Sequence, residues 1–309
     1  MPGEAILVTG GAGFIGSALC QALLRQGHSV VAFDDLSAGR PELLAPQAGC
    51  RLVQGDLRDA TAVERLLGEV RPRRILHLAA LHYIPHCNAR PLDTVEINVA
   101  ATRNLLGACR RLSLGSFFLA STAAVYPIAG SPFPEETPVG PIDIYGHSKA
   151  MAEDLARLFH RETRVPTVVG RFSNAFGPNE TNPHLIPDVL AQLRAGGDTL
   201  ALGNLDPVRD YIHVEDLVAG ILAAERTADA FSVVNIGSGR GLSVRQVVAA
   251  FESALGRPLR IVQAPDRLRS VDRQELVLDI TKLKRSSGWR PKMDFAAGIA
   301  ALLAGEGRP

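Results

Sequence analysis

The chain has almost no net charge to offer a partner: 33 lysines and arginines against 32 acids leave +1. That balance argues against nucleic acid or an anionic membrane surface as a bulk partner. No apolar run reads as a membrane span. The first, AILVTGGAGFIGSALC, is broken by glycines and too short to cross a bilayer. It has no basic segment before it, so it does not read as a signal peptide. Cysteine is scarce, with four residues at 20, 50, 87 and 109 and no CxxC pair. We read these as reduced thiols in a cytoplasmic protein. Internal repeats, low-complexity tracts and obvious linkers are also missing. What remains is a globular composition, 46% apolar and 21% charged, and 309 residues are enough for one large or two modest domains.

The first half alternates short β-rich runs with helical patterns. The runs are AILVT (5–9), SVVAF (29–33), RLVQ (51–54), RILHLA (74–79), SFFLA (116–120) and TVVGRF (167–172). Helical spacing covers roughly 14–26, 59–68, 92–111 and 145–162. Such alternation predicts an α/β fold, a parallel sheet with helices on both faces. After residue 172 the texture changes. SNAFGPNETNPHLIP reads as a loop before a helix near 185–195. A helix near 215–225 and the strand FSVVNI (231–236) return to the sheet. SVRQ at 243–246 is a capping box that opens another helix, and 276–289 reads as a strand and a short helix ending at Gly288. The expected division is 1–172 with 212–237, and a smaller discontinuous unit of 173–211 with 238–309.

VTGGAGFIGS places Gly10, Gly13 and Gly16 between a strand and a helix. Glycine permits the tight turn and the close approach of backbone to a pyrophosphate, which meets the free N–H groups of the helix start. The next strand leads to Asp34, 24 residues after Gly10. A carboxylate there accepts hydrogen bonds from a ribose diol and repels a 2′-phosphate, so the cofactor expected is NAD rather than NADP. GDLRD follows a third strand, so Asp56 and Leu57 could flank the adenine. Asp59 is better read as a helix N-cap.

FFLASTAAVY ends a strand with Ser121 and Thr122, and strand ends of such sheets face the ligand crevice. Tyr145 stands four residues before Lys149 in YGHSK, one turn of helix apart. Alone, such a pair is best read as a surface contact. The glycine loop, Asp34 and the strand-end Ser-Thr reverse that preference. A phenol titrates near pH ~10. A nearby ammonium and an oxidised nicotinamide favour phenolate, so Tyr145 is expected to act as a base near neutrality. Thr122 would donate a hydrogen bond to the same sugar oxygen, and Lys149 would also hold the nicotinamide ribose.

The chain resembles an extended short-chain dehydrogenase/reductase of the nucleotide-sugar epimerase and dehydratase family, and is most similar to UDP-sugar 4-epimerases. The similarity runs nearly end to end through VTGGAGFIGS, FDDLSAGR, GDLRD, HLAAL, ASTAAVY, YGHSK, GRFSNAFGP, VRDYIHVEDL, VNIGSG and SGWRP. It implies a Rossmann doubly wound sheet with a smaller substrate unit, bound NAD and a UDP-sugar substrate. Thr122, Tyr145 and Lys149 fall on the catalytic positions. Asn174, Arg209, Arg269 and Asp272 fall on positions holding the UDP diphosphate and ribose. The resemblance further implies cofactor contacts from Phe14, Ile15, Asp35, Ser37, Gly39, Leu78, Ala79, Ala80, His82, Asn98, Ser121 and Phe172. It implies substrate contacts from His82, Ala123, His184, Leu185, Leu200, Leu202 and Leu276. Leu276, four positions after Asp272, matches the residue that gates the sugar's C2 substituent. The helices near 92–111 and 145–162 match those that pair in a homodimer.

There are departures from the family pattern. Pro127 stands where Gly is usual, Phe172-Ser173-Asn174 where Tyr-Phe-Asn is common, and His82 where galactose epimerases often carry Lys. STAAVY lacks the Asp-Glu pair with which sugar 4,6-dehydratases eliminate water. A UDP-sugar dehydratase or UDP-glucuronate decarboxylase is the rival enzyme. An NAD-sensing scaffold is the rival outside enzymes, although it would have no use for a Thr/Tyr/Lys set. LHYIPHCNARP invites a metal reading through His82, His86 and Cys87, but no fourth ligand is spaced to join them, and none is expected. A loop over the nicotinamide suits this segment better. His77 reads as a strand residue with a satisfied hydrogen bond, and Trp289 and Phe295 as small-unit core.

Overall fold

The computed structural model describes residues 5–44, 48–180, 182–227, 229–268 and 273–305. Strand β1 (Ile6–Thr9) runs into helix α1 (Phe14–Arg25). β2 (Val30–Asp34) and β3 (Cys50–Gln54) follow, then α2 (Ala60–Val70). Asp59 caps α2 by accepting the Ala62 N–H, as its position predicts. β4 (Arg74–His77) leads to α3 (Ile84–Ala89), α4 (Pro91–Val95), a π-helical turn (Glu96–Ala100) and α5 (Ala101–Cys109). β5 (Ser116–Thr122), α6 (Ile144–Thr163) and β6 (Thr167–Phe172) continue the alternation. Beyond them lie β7 (Asn174–Phe176), α7 (Leu185–Arg194), β8 (Thr199–Leu202), β9 (Val208–His213), α8 (Val214–Arg226) and β10 (Phe231–Ile236). The last elements are β11 (Gly241–Ser243), α9 (Val244–Leu255), β12 (Arg260–Gln263), β13 (Glu275–Leu276), α10 (Thr281–Ser287) and α11 (Phe295–Gly305).

Seven strands form one sheet in the order β3-β2-β1-β4-β5-β6-β10, and every pairing is parallel. The order turns back between β1 and β4, the switch point of a doubly wound Rossmann sheet. Adjacent strand residues pack to opposite faces. Val8, Ala32 and Phe118 join the core under α1 and α8, while Leu7, Val31 and Phe117 join the core under α2, α5 and α6. This is why the strands read as unbroken apolar runs rather than alternating ones. Phe117 and Phe118 are both fully buried, and each such burial stabilises by about 1.5–3 kcal/mol.

A third core belongs to the smaller unit and joins Phe176, Val189, Leu200, Phe251 and Leu302. Its strands are short: β9 pairs with β7, β11 and β13, and β8 pairs with β12. The capping box of α9 is present, Ser243 and Gln246 bonding each other's backbone N–H. Buried Asp210 on β9 accepts from Ser238 N–H at 2.8 Å and Gly239 N–H at 3.0 Å, fixing β9 to the exit of β10.

The structure departs from the sequence expectation in three places. Residues 84–89 are helical, started by Pro85 in the first turn, rather than a loop. The helix expected over 92–111 is interrupted by the π turn. That turn places Asn98 inward, where it accepts from Leu81 N–H and donates to Leu81 O and Ser148 Oγ. Finally, the segment 276–289 packs against the large sheet. Leu278, Ile280, Leu283 and Trp289 share a core with Leu217, Ile221 and Ile236. Trp289 fits there because Gly220 on α8 has no side chain; a Cβ would lie 3.1 Å from the indole. Phe295 does pack against the smaller core.

Candidate active site

A cavity of about 1190 Å³ runs along the carboxyl ends of the parallel strands and continues under the smaller unit. At one end is the glycine turn. Gly10 has φ +68°, and a Cβ on it would lie 2.8 Å from the Ala79 backbone nitrogen. A Cβ on Gly16 would run into the Gly10 carbonyl. The loop therefore folds tightly onto β4 and onto itself only as glycine. Gly13, the N-cap of α1, has no side chain to occupy the first-turn N–H groups, which leaves an anion cradle. Phe14 and Ile15 line the same end. This cradle fits the pyrophosphate of a dinucleotide.

Asp34 ends β2 beside the cradle and is buried. Its Oδ2 accepts from Ala12 N–H and its Oδ1 from Leu36 N–H, each at 2.9 Å. Burial pushes its carboxyl above the usual range, and these two bonds oppose the shift. A Cβ on Gly39 would sit 2.5 Å from Asp34 Oδ1, so the bare glycine keeps that oxygen approachable. Asp35, Ser37, Asp56 and Leu57 line the cavity nearby. Asp56 is held by Arg58, whose Nε donates to Oδ2 at 2.8 Å, and this keeps its carboxyl below the ordinary value.

At the middle of the cavity, Thr122 ends β5 while Tyr145 and Lys149 project from one face of α6. α6 starts at Asp143, whose Oδ1 accepts the Gly146 N–H at 2.7 Å. Thr122 hydrogen-bonds the Tyr145 phenol. Burial pushes the phenol up, with the Thr122 bond opposing it. The expected phenolate near neutrality is thus not a property of the polypeptide alone, in which desolvation outweighs the Thr122 hydrogen bond. Lys149 is 3% exposed, and burial lowers it to about 8 while Glu153 acts in the other direction. Leu78, Ala79, Ala80, Ser121, Ala123 and Phe172 complete this part of the wall. His77 lies in the core between Thr9 Oγ1 at 2.6 Å and Thr102 Oγ1 at 2.8 Å, satisfied as its strand position predicts.

The far end is roofed by the segment before α7. Asn182 Nδ2 donates to His82 Nε2 at 2.9 Å, and His184 Nδ1 bonds Glu180 Oε1 at 2.6 Å. Burial pushes the Glu180 carboxyl up, with the His184 contact opposing. Asn174, Leu185, Arg209 and Leu276 also line this end. Arg209 Nη1 donates at 2.8 Å to Val208 O and at 2.8 Å to Arg273 O. Among the described residues, no three His, Cys, Asp or Glu side chains come together as a metal site. Cys87 is buried with Sγ 3.5 Å from Leu81 O, and His86 Nε2 is 3.5 Å from Arg90 Nη1.

Three expected contacts are corrected. Leu200 and Leu202 do not reach the cavity. They are 0% and 2% exposed, because β8 turns them into the core of the smaller unit. Asn98 is likewise enclosed, and it braces Leu81 and Ser148 rather than touching the cavity. Arg269 and Asp272 lie outside the described residues. Glu180, Asn182 and Arg273 carry no local signal in the sequence. The first two sit in what reads only as an Asn/Pro loop. Buried Arg273 donates to Ala124 O at 3.0 Å and Tyr126 O at 2.8 Å, holding the turn after Thr122.

Residues 6–237 match the family described as the NAD dependent epimerase/dehydratase family. The chain belongs to that family, and NAD is its cofactor. It is 36% identical over 314 residues to a UDP-glucose 4-epimerase of Azospirillum brasilense, spanning 95% of this chain and 89% of the relative. A Thermus thermophilus UDP-glucose 4-epimerase in complex with NAD superposes with a TM-score of 0.87 at 32% identity, over 97% of this chain and 98% of that one. A Bacillus cereus UDP-glucuronic acid 4-epimerase with UDP-glucuronic acid and NAD gives 0.88 at 25% identity, over 98% and 100%.

Asp34→Ala is expected to weaken NAD binding about 10- to 100-fold, the loss of a hydrogen bond to a charged group, and to narrow the preference over NADP. Calorimetric titration of nucleotide-stripped protein measures both. Equal affinity of the unmodified protein for the two nucleotides would contradict the assignment.

Proposed function

We propose that the protein is an NAD-dependent 4-epimerase of a UDP-sugar, acting through transient oxidation at C4. The observation that carries this reading is the meeting of Thr122, Tyr145 and Lys149 midway along one cavity, between the glycine cradle and the Arg209–Leu276 end. NAD, when bound, supplies the hydride acceptor and a positive ring beside the phenol. Tyr145 takes the proton of the C4 hydroxyl and later returns it. Thr122 hydrogen-bonds the same oxygen, and the Lys149 ammonium favours the phenolate and holds the cofactor ribose. The keto-sugar turns about its diphosphate between the two hydride transfers. Affinity is therefore placed on UDP, through Asn174, Arg209, Arg269 and Asp272. The four unpaired cysteines suit a reducing compartment, and we assign the protein to the cytoplasm. In the described residues no helix is long and apolar enough to cross a membrane.

Leu276 supports a reading of the sugar. It lines the cavity at 9% exposure and pairs with Arg209 across β13 and β9. A branched side chain there restricts an N-acetyl group at C2 and offers it no hydrogen bond. The substrate we propose is UDP-glucose/UDP-galactose or the corresponding uronate pair, UDP-glucuronate/UDP-galacturonate. We also propose a homodimer through α4–α6, whose outer faces expose Leu92, Met151 and Leu158.

Tyr145→Phe should lower kcat by ~100- to ~10,000-fold with NAD still bound; retention of more than about a tenth of the rate overturns the role. Incubation with a panel of UDP-sugars and NMR assignment of products separates epimerisation from dehydration and decarboxylation. Rates on UDP-glucose and UDP-glucuronate should exceed that on UDP-N-acetylglucosamine by about 10- to 200-fold, and Leu276→Ala should narrow the gap. Equal turnover of the acetylated sugar by the unmodified enzyme rules the gate out. Sedimentation at micromolar concentration should give twice the 33.0 kDa chain mass, and a stable monomer contradicts the dimer.

A further inference from the structure

Beneath the reacting centre lies a closed polar network that no ligand is needed to complete. Glu153 sits on α6 one turn past Lys149 and two turns past Tyr145, and is 3% exposed. Its Oε1 accepts from Ser121 Oγ at 2.5 Å and from Arg171 Nε at 3.0 Å, and its Oε2 accepts from Arg171 Nη2 at 2.7 Å. Arg171, on β6, is buried as well. Its Nη1 donates to Glu135 O at 3.2 Å, and its guanidinium lies 4.8 Å from the centre of the Tyr126 ring. The Tyr126 hydroxyl donates in turn to Asn235 Oδ1 at 2.8 Å.

Buried ion pairs are poor sources of stability, because the desolvation of both charges offsets their attraction. A bidentate pair in this position therefore calls for another role. Its location supplies one. Ser121 precedes Thr122 on β5, and Lys149 and Tyr145 share the helix face that carries Glu153. One carboxylate thus joins the strand end to the helix, and it is the acid that acts on the Lys149 ammonium.

We propose that Glu153 is a positioning residue of the reaction: through Ser121 and Arg171 it fixes Thr122 against Tyr145 and Lys149, and it sets a carboxylate one helical turn from the Lys149 amine. The proposal rests on the reading of Tyr145 and Lys149 as the proton-transfer pair. The groups facing this centre are Tyr145 and Glu153 on α6, Asp143 at its start, His77 on β4, His82 beyond β4, Cys87 on α3 and Arg171 on β6. Of these, Glu153 is the acid directly below Lys149. Arg171 takes up a lone pair on each of its oxygens and so fixes the carboxylate in place.

The chain has only four lysines, at 149, 282, 284 and 292, so ε-carbon-labelled lysine gives four NMR titrations, with Lys149 assigned by Lys149→Met. In the unmodified holoenzyme Lys149 should titrate below the ordinary lysine range. In Glu153→Gln its midpoint should fall by about 2 pH units, the loss of a unit charge one helical turn (about 6 Å) away at an effective dielectric near 20. The alkaline limb of kcat should move with it, while KM for UDP-sugar and NAD affinity stay put. Glu153→Asp keeps the charge, so its midpoint should remain near wild type while kcat falls. Ser121→Ala removes the strand tie and should also leave the midpoint near wild type while kcat falls. If Glu153→Gln is too unstable to isolate, these two variants still decide the point: wild-type kcat in both overturns the positioning role. An unshifted Lys149 titration in Glu153→Gln overturns the electrostatic one. A shifted titration in an enzyme that turns over no UDP-sugar would leave this inference standing and sink the epimerase reading instead.

Discussion

A parallel sheet covered on both faces has no free surface except the ends of its strands, and this limit organises the molecule. Leu7 and Val8, Val31 and Ala32, and Phe117 and Phe118 are each split between two cores, so no side chain within a strand is available for chemistry. Polar function is pushed to the carboxyl edge. There β1 gives way to Gly10, β2 ends in Asp34, β4 leads to Leu78–Ala80, β5 ends in Thr122 and β6 in Phe172. The turn-back of strand order between β1 and β4 opens the crevice at this edge. α6 lies along it with Tyr145 and Lys149 facing inward.

The same constraint explains what the sequence made legible. A doubly buried strand is a plain apolar run, and β1, β2, β4, β5, β6 and β10 were visible to within a few residues. The glycine turn was visible because only glycine fits where a Cβ on Gly10 or Gly16 would strike backbone. Asp59 and the Ser243–Gln246 box were visible because caps are local chemistry. Helices α7 and α9 of the smaller unit were visible too, but most of its strands were not. β7 and β11 are three residues long and owe their extended form to β9 beside them. α11 is apolar nearly all round, FAAGIAALLAG, so it carries no periodic signal of a face. Leu200 and Leu202 illustrate the cost: a register position in a short strand decides whether leucine meets ligand or core, and no local residue announces that register. Arg273 and Glu180 escaped for a related reason, since their partners lie far away in sequence or in an irregular segment.

Burial acts on the reacting centre in a consistent direction: Tyr145 is pushed up and Lys149 pulled down, so both neutral forms are favoured. A desolvated phenol and a desolvated amine side by side would form a weak proton-transfer pair. The counterweight is placed deeper. Glu153 acts against the burial of Lys149, and Arg171 holds Glu153 in place through two nitrogen donors. The charges lie in buried surroundings, where electrostatic effects are large, and one positive charge is retained near the phenol.

The floor and roof of the cavity differ in kind, and the difference suits the reaction proposed. The floor is core: Lys149, Ser121, Glu153 and Arg171 are all buried, and their hydrogen bonds join α6, β5 and β6 into one body. The roof is a connecting segment held by a few polar contacts, His82 with Asn182 and Arg40 with Asn179 at 3.3 Å near the surface, and exposed His184 on the buried Glu180 carboxylate. A proton acceptor must be held to within a fraction of an ångström of one hydroxyl, and only a packed floor can do that. A sugar that has to present both faces to the same acceptor needs the opposite, a cover whose contacts break at small cost. Hydrogen bonds between exposed side chains exchange readily with water and contribute about 1 kcal/mol or less each. The end proposed for the nucleotide is built differently again. Arg209 sits within paired strands, and its Nη1 is fixed by two backbone carbonyls, so its guanidinium presents a set geometry to an anion. In the reaction proposed, rigid floor, rigid anchor and loosely tied roof together would allow a tethered sugar to turn without its nucleotide leaving.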